Sequence, residues 1–159
     1  MKVVLLAAMS VDGKIAESRD QNSTDWTSKD DVRFFVKKTK EVGTLIMGST
    51  TYETIGRPLP GRKIFVMCFH PEKHESIEGV EFIKKGPKEM LEYLEEQGIE
   101  SVVIAGGASI YRQFIEQGLV DELFLTIEPY LFGKGIPFVP EMDRVKLSFV
   151  DMEQIGDQT

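Results

Sequence analysis

The segment that decides the fold is Ser101-Val102-Val103-Ile104-Ala105-Gly106-Gly107-Ala108-Ser109-Ile110-Tyr111. An apolar run rich in β-branched side chains follows Ser101 and predicts a strand buried on both faces of a sheet. The residues from Ala108 to Gln117 predict a helix, and Gly106 and Gly107 allow a sharp turn between the two elements. A strand that runs directly into a helix is the building unit of an α/β protein.

The same alternation recurs along most of the chain. Residues 2–9 are largely apolar, as is typical of a central strand, and Ser28 begins a helix after a polar loop. Further strands are predicted at 43–48, 64–68, 80–83 and 123–127, with helical stretches after Gly48 and at 88–97. Without a repeat or linker, residues 1–159 are predicted to form one α/β domain with a mixed, mostly parallel central sheet and helices on both faces.

Composition excludes several functional classes. The chain has 26 acidic and 19 basic residues and a formal net charge of −7, so nucleic acid is not an expected partner. No apolar stretch is long enough to cross a bilayer, and no signal-peptide pattern precedes the first strand. We therefore expect a cytoplasmic protein without membrane attachment. The single cysteine, Cys68, predicts no intrachain disulfide.

Two predicted strand-to-helix junctions could hold phosphate. At each of them, in Gly106-Gly107-Ala108 and in Gly48-Ser49-Thr50-Thr51, glycine is followed by a helix start that offers unpaired backbone N–H groups. Tight packing or simple helix capping explains either junction equally well when it is taken alone. Two such junctions in one small domain fit an elongated ligand with phosphate groups, such as a dinucleotide.

Asp31 is the main candidate for acid–base chemistry. It lies three residues after the predicted cap Ser28, where a carboxylate is also favoured simply by the helix dipole. It also lies four residues before Phe35, on the side of the helix that carries apolar residues. A carboxylate beside an apolar wall can pair with a ring N–H and an exocyclic amine at once, and can support protonation of the ring.

Two other groups of residues complete the candidates. Arg57 and Arg62 flank a rigid Pro-Leu-Pro-Gly segment that could present a guanidinium to a carboxylate, although solvated loop arginines are the simpler interpretation. His70 and His74 are four residues apart, but Pro71 between them predicts a solvated loop. No metal site is expected.

These motifs together resemble the dihydrofolate reductase superfamily. The resemblance rests on the apolar first strand, on the Trp26 to Asp31 spacing, on residues 51–62 and on the Gly106-Gly107 junction, which occur in family order. It extends from about Met1 to Pro137. Residues 10–16 and 133–137 are more similar to the related reductase domain of riboflavin biosynthesis.

The resemblance implies roles for the substrate-binding residues. Asp31 would hold the pterin and aid its protonation, and Thr126 would support Asp31. Arg62 would bind the glutamate carboxylate of folate. The remaining predicted substrate contacts are Leu6, Ala8, Phe35 and Arg57.

For the cofactor, the resemblance implies NADPH, with the loop around Ile15 closing over the nicotinamide. Ser49 and Ser109 stand where many family members carry basic residues near the adenosine phosphate, so NADH also stays open. The candidates for the replacement charge are Lys84, Lys73 and His70. The predicted cofactor-binding residues are Ala8, Ile15, Gly48, Ser49, Thr50, Thr51, Lys84, Ala105, Gly106, Gly107, Ala108, Ser109 and Tyr111.

Three functions follow from this sequence. The first is NADPH-dependent reduction of 7,8-dihydrofolate to tetrahydrofolate. The second is reduction of the ribose of a phosphoribosylaminopyrimidine, the reaction of the riboflavin-pathway relative, because one fold can host both activities. The third is a nucleotide-binding module without catalysis. Asp31 and Arg62 favour folate, since the riboflavin-type domain generally lacks that pair. The protein is expected to be a monomer or a homodimer.

The C-terminal residues depart from the family pattern. Residues 147–153 predict one strand and residues 154–159 the start of a turn. Members of the family usually have one more strand at this end of the chain. We therefore expect either a naturally short chain or one that lacks its last strand, with an unpaired sheet edge in both cases.

Overall fold

The computed structural model describes residues 1–159. The strands are β1 (Lys2–Ser10), β2 (Lys14–Ala16), β3 (Thr44–Gly48), β4 (Lys63–Met67), β5 (Val80–Ile83), β6 (Ser101–Ile104), β7 (Glu122–Glu128) and β8 (Ile136–Pro137). The helices are α1 (Lys29–Val42), α2 (Ser49–Ile55), α3 (Pro87–Glu96) and α4 (Ala108–Glu116). Single turns of 3-10 helix lie at Ser23–Asp25 and Pro71–Lys73.

Six strands form a central sheet in the order β5-β4-β3-β6-β1-β7. All neighbouring pairs in this sheet are parallel, and β1 lies between β6 and β7. The antiparallel pairing occurs in a separate two-stranded sheet of β2 and β8. The predicted single α/β domain with a mostly parallel sheet is therefore confirmed.

Apolar side chains pack on both faces of the sheet. On one face, Met90 and Leu94 of α3 and Phe114 of α4 pack with strand residues such as Leu5. On the other face, Tyr52 of α2 packs with a second set of strand residues, and Phe34 and Phe35 of α1 pack against that set. The alternating inward positions of buried parallel strands produce these two layers. Helices cover both faces, as predicted.

Helix α1 begins after the cap that the sequence indicates, whereas Gly43, predicted to lie in the next strand, ends the helix instead. The Ser28 hydroxyl accepts a hydrogen bond from the Asp31 amide at 3.1 Å, which satisfies one of the free N–H groups of the first turn. Gly43 ends the helix in a left-handed conformation with φ of +80°. Because the cap fixes the first turn, it also fixes where the Asp31 side chain leaves the helix.

The predicted strand at 147–153 is wrong. Residues 138–159 contain no strand, and Leu147, Phe149 and Val150 are 63%, 83% and 89% exposed. The apolar alternation predicts a strand, but a strand forms only where a neighbouring backbone supplies hydrogen-bond partners. No strand of this sheet lies beside residues 147–153.

None of the helices has the length and apolar character that crossing a membrane requires.

Candidate active site

A cleft of about 1200 Å³ opens at the carboxyl ends of the central strands. In an open parallel sheet, ligands bind outside the carboxyl ends of the strands, where neighbouring connections leave in opposite directions. Here β3 and β6 are adjacent, β3 continues into α2 on one face of the sheet, and β6 leads to α4 on the other face. The cleft therefore occupies the position at which this fold class binds its ligands.

The two predicted phosphate-binding junctions meet in this cleft. The Gly48 amide donates to the Gly106 carbonyl at 2.8 Å, which joins the end of β3 to the turn after β6. Gly106 has φ of +118°, and a Cβ there would lie 3.3 Å from Tyr111 Oη and 3.4 Å from Thr51 Oγ1. Glycine is required because a side chain would be strained and would enter the space between the two helix starts. This space can hold the diphosphate of a dinucleotide on backbone N–H groups.

Asp31 lies in the apolar part of the cleft and is only 8% exposed. Burial raises the pKa of its carboxyl above the ordinary value, and the negative charge of Glu128 adds to this rise. The hydroxyls of Thr126 and Thr27 act in the opposite direction and lower the pKa. Because burial and the charge of Glu128 together outweigh the two hydroxyls, Asp31 holds a proton at higher pH than an exposed aspartate does.

Two nearby residues leave the Asp31 region with unused hydrogen-bonding capacity. The Thr27 hydroxyl is close enough to Asp31 to lower its pKa, yet it is buried without a partner of good hydrogen-bond geometry. The Trp26 indole N–H is also buried without a partner. Buried polar atoms of this kind are normally satisfied by water or ligand. Thr27 lines the cleft and therefore suits a site that takes up a polar molecule, whereas Trp26 is not part of the cleft lining and packs against Tyr130 and Phe132.

Tyr111 forms part of the cleft wall between the two junctions and Asp31. Its hydroxyl is buried and donates to the Leu6 carbonyl at 2.7 Å. Burial, and secondarily the charge of Asp31, raises the pKa of this phenol far above its ordinary value. Tyr111 therefore stays a neutral donor and ties α4 to the middle of β1 next to the cleft.

The arginines occupy the outer part of the cleft. Arg62 is half-buried, and it donates to Thr39 Oγ1 at 3.0 Å and to the Pro60 carbonyl at 3.2 Å. These two bonds hold the guanidinium in place and leave other N–H groups free for a ligand. Arg57 also lines the cleft but is exposed. A guanidinium that is fixed in one orientation can bind a carboxylate through two parallel hydrogen bonds.

The loop after β1 forms one rim of the cleft. Ile15 lies in β2 and packs against the core, and Arg19 donates to Thr50 Oγ1 at 3.4 Å near the start of α2. Asp12 ties this loop to the residues after β7, because its carboxylate accepts the Phe132 amide at 3.0 Å and the Gly133 amide at 2.8 Å. These bonds and the Ser10 hydroxyl lower the pKa of Asp12 to about 2.

All of the predicted site residues line this one cleft, although their roles remain predictions. The substrate candidates are Leu6, Ala8, Asp31, Phe35, Arg57, Arg62 and Thr126. The cofactor candidates are Ala8, Ile15, Gly48, Ser49, Thr50, Thr51, Lys84, Ala105, Gly106, Gly107, Ala108, Ser109 and Tyr111.

Several residues with a place in the site were not predicted. Thr27, Arg19 and Lys85 line the cleft, and the buried Glu128 lies behind Asp31. Glu128 carries a usable signal, since it is two residues after Thr126 and therefore points to the same side of β7. The other three lie in loops or at strand ends, where no periodicity indicates orientation.

The open parallel sheet, the paired helix starts and the buried carboxylate define an α/β protein with a dinucleotide-sized cleft. The sequence model of the dihydrofolate reductase family matches residues 2–159. The chain belongs to the dihydrofolate reductase family.

Individual relatives match the chain at modest identity. The uncharacterised protein YwjB of Bacillus subtilis (strain 168) is 29% identical, and the alignment covers 98% of this chain and 92% of that protein. The dihydrofolate reductase HdrB of Haloferax volcanii is 32% identical over 92% of this chain and 74% of that protein.

Two solved structures share the fold. Dihydrofolate reductase from Enterococcus faecalis, complexed with NADP(H) and RAB-propyl, has a TM-score of 0.71 and 29% identity over 89% of this chain and 79% of that chain. A putative riboflavin biosynthesis protein from Shewanella sp. PV-4 has a TM-score of 0.75 and 24% identity over 91% of this chain and 86% of that chain. At 24% identity, the second likeness shows the fold alone.

Proposed function

We propose that this protein is an oxidoreductase that uses NADPH to reduce 7,8-dihydrofolate to tetrahydrofolate. The observation that carries the proposal is the position of Asp31. It is a buried carboxylate with a raised pKa, in the same cleft as the cradle formed by the starts of α2 and α4. A reductase of a protonatable ring needs a proton source beside a dinucleotide site.

The residues of the cleft fit the cofactor. Glycine at 106 and 107 leaves open the space that a Cβ would fill, and a Cβ on Gly107 would lie 3.0 Å from Thr51 Oγ1. Backbone N–H groups at the start of α4, together with Thr50 and Thr51, would hold the diphosphate. When bound there, the nicotinamide dinucleotide supplies the hydride.

Asp31 would orient the pterin and hold the proton that the ring needs. Its carboxyl can pair with a ring N–H and an amino group at once, while Phe35 on the next turn of α1 provides an apolar wall. The Thr126 hydroxyl acts on the same carboxyl and would fix its orientation. Alignment of the two rings in a partly closed cleft contributes the rest of the rate acceleration.

Arg62 supports a substrate with a carboxylate tail. The guanidinium is held by Thr39 and Pro60 and lines the same cleft as Asp31. A folate would reach both residues, because it carries a pterin at one end and a glutamate at the other. A phosphoribosylaminopyrimidine has no carboxylate, but its phosphate can also pair with a guanidinium, so Arg62 alone does not separate the two substrates.

Preference for NADPH over NADH is supported by positive charge at the far end of the cleft. Lys84 and Lys85 line it just after β5, where they could neutralise a 2′-phosphate. We propose that Lys84→Ala lowers the ratio of kcat/KM for NADPH to that for NADH by about tenfold or more, the usual effect of losing one charge-assisted contact. An unchanged ratio would remove Lys84 from this role.

The test of the function is dihydrofolate-dependent oxidation of NADPH by the unmodified protein and by Asp31→Asn. The neighbouring Asp30→Asn is the matched control, since Asp30 forms only an exposed ion pair with Arg33 at 2.9 Å. We expect turnover near neutral pH that collapses in Asp31→Asn, persists in Asp30→Asn and is accompanied by NADPH binding in all three proteins. Binding of NADPH without turnover would reject the folate reaction.

The second candidate is the riboflavin-type reduction of a ribosylaminopyrimidine. It is supported by residues 10–16 and 133–137, where the Asp12 carboxylate joins the two segments through the Gly133 amide. The same assay with a phosphoribosylaminopyrimidine as acceptor separates the two. Turnover with that substrate and none with dihydrofolate would favour the second candidate.

A further inference from the structure

Glu128 is a buried carboxylate that the proposed reaction does not use. It is the last residue of β7 and is 1% exposed, although it does not line the cleft. None of the ion pairs in the molecule involves Glu128 or Asp31. A carboxylate buried without a cation is costly, so its surroundings need an explanation.

Hydrogen bonds connect Glu128 to the first turn of α1. Its Oε1 accepts the Ser28 amide at 2.7 Å, and its Oε2 accepts the Thr159 hydroxyl at 3.0 Å. Ser28 in turn accepts the Asp31 amide through its hydroxyl oxygen at 3.1 Å. The short chain Glu128–Ser28–Asp31 therefore fixes both the start of the helix and the residue that points into the cleft.

Glu128 also places negative charge behind Asp31. Thr126 and Glu128 lie on the same side of β7, and both act on the Asp31 carboxyl from that side. The other titratable group facing Asp31 is Tyr111 of α4, which is a neutral phenol. A like charge across a partly buried gap disfavours ionisation of Asp31, and no cation offsets it.

We propose that Glu128 is a positioning residue for Asp31: through the Ser28 amide it fixes the first turn of α1, and its buried carboxylate stands behind the carboxyl that delivers a proton into the cleft. This inference rests on the proposed function for its link to turnover. The placement and charge of Glu128 are properties of the folded protein and can be tested without substrate.

The first experiment titrates the Asp31 carboxyl directly. Aspartate labelled with 13C at Cγ is followed by NMR in the full chain, and Asp31→Asn identifies the signal. Glu128→Gln removes the charge but keeps an oxygen that can accept the Ser28 amide. We expect its Asp31 midpoint to fall by roughly half to one pH unit, as for loss of one neighbouring charge. Glu122→Gln removes an exposed charge from the start of the same strand and should leave the midpoint unchanged.

A midpoint that is the same in Glu128→Gln as in the unmodified protein would overturn the charge effect. An equal shift in Glu122→Gln would also overturn it, because the effect would then be one of net charge. Neither result depends on the reaction. Failure of the proposed function would instead show as absence of dihydrofolate-dependent NADPH oxidation in the unmodified protein.

The second experiment measures the pH profile of turnover. In Glu128→Gln the descending limb should move to lower pH, so that kcat falls roughly three- to tenfold above the midpoint while KM for NADPH stays unchanged. Glu128→Asp keeps the charge and an acceptor but shortens the reach to Ser28, so it remains informative if the glutamine variant does not fold. The Glu128→Asp variant should lower kcat, while the descending limb of its pH profile should stay at nearly the same pH. Unchanged kcat in Glu128→Asp would overturn the positioning role.

Discussion

The Gly48 amide and the Gly106 carbonyl are joined by a hydrogen bond of 2.8 Å that connects the ends of two adjacent parallel strands. This bond brings the start of α2 next to the start of α4. Under the proposed function, phosphate recognition would depend on backbone geometry at these two glycines more than on charged side chains, because Ser49 and Ser109 stand where a basic residue could stand.

Gly106→Ala should abolish tight NADPH binding. Its φ of +118° disfavours any side chain, and the new Cβ would press on Tyr111 Oη and Thr51 Oγ1. We expect a Kd for NADPH at least about tenfold higher and a free energy of unfolding lower by roughly 1–3 kcal/mol. Fluorescence titration and thermal unfolding measure the two effects.

Gly98→Ala is the control for backbone strain alone. Gly98 has φ of +75°, and its Cβ would meet no atom within 4 Å. It should lose stability by about 1 kcal/mol and keep its affinity for NADPH. Equal affinities of both variants would mean that Gly106 does not shape the cofactor site.

Asp31→Asn should stabilise the protein at neutral pH while it removes activity. Burial raises the pKa of Asp31 above 3.8, so the folded state binds its proton more tightly than the unfolded state. The free energy of unfolding therefore decreases as pH rises from 3.8 through the folded pKa. Asparagine does not ionise, so the Asp31→Asn variant does not show this decrease. We expect a Tm at pH 7 higher by roughly 2–4 °C, as for a gain of about 1 kcal/mol, and no difference at pH below the unfolded pKa. A lower Tm at pH 7 would contradict the raised pKa.

Turnover should fall as pH rises through the folded pKa of Asp31, because the protonated carboxyl is then depleted. The descending limb of kcat against pH should therefore lie above the ordinary aspartate value of 3.8. A rate independent of pH across the range where Asp31 titrates would show that its proton is not used.

Arg62→Gln should raise KM for dihydrofolate by about tenfold to a hundredfold and change kcat little, because a charge-assisted contact away from the reacting atoms is lost. Arg57→Gln is the matched control, since this guanidinium is exposed and is expected to matter less. A dihydropterin without the glutamate tail should be reduced equally well by the unmodified protein and Arg62→Gln. Loss of activity on that shortened substrate would place Arg62 elsewhere in the reaction.

Asp12→Ala should loosen the segment after β7. Its carboxylate accepts the Phe132 and Gly133 amides, so hydrogen exchange at those two amides should accelerate at pH 7. Because the folded pKa of Asp12 is depressed to about 2, the stabilisation is present above 3.8 and is lost as pH falls toward 2. Asp20→Ala, in the same loop region, should leave both amides unchanged. Unaltered exchange in Asp12→Ala would show that the contact contributes nothing.

Much of the fold could be predicted because its signals are local. Apolar runs locate the buried strands, and Ser28 marks the start of α1 through its own capping chemistry. Strand order, by contrast, depends on contacts between distant segments, and the strand predicted at 147–153 failed because its pattern says nothing about a neighbouring backbone.

The site residues also divide into those with a local sequence signal and those that depend on contacts between distant segments. Asp31 could be singled out because helix spacing places it beside Phe35, and the glycine junctions because strand and helix meet there. The spacing of Glu128 from Thr126 indicates only which side of β7 it occupies, and its contact with Ser28 could not be predicted because it joins residues that are 100 positions apart. Only the fold shows that a second carboxylate stands behind the first.

The pairing of β2 with β8 makes two distant stretches of chain one unit of local unfolding. Residues Lys14 and Ala16 pair with Pro137 and Ile136, and neither strand has another strand as its partner. We therefore expect the loop after β1 and the segment after β7 to lose protection together when this two-stranded sheet separates. A ligand that closes the loop after β1 would therefore slow exchange and proteolysis in the segment after β7, which it does not need to touch.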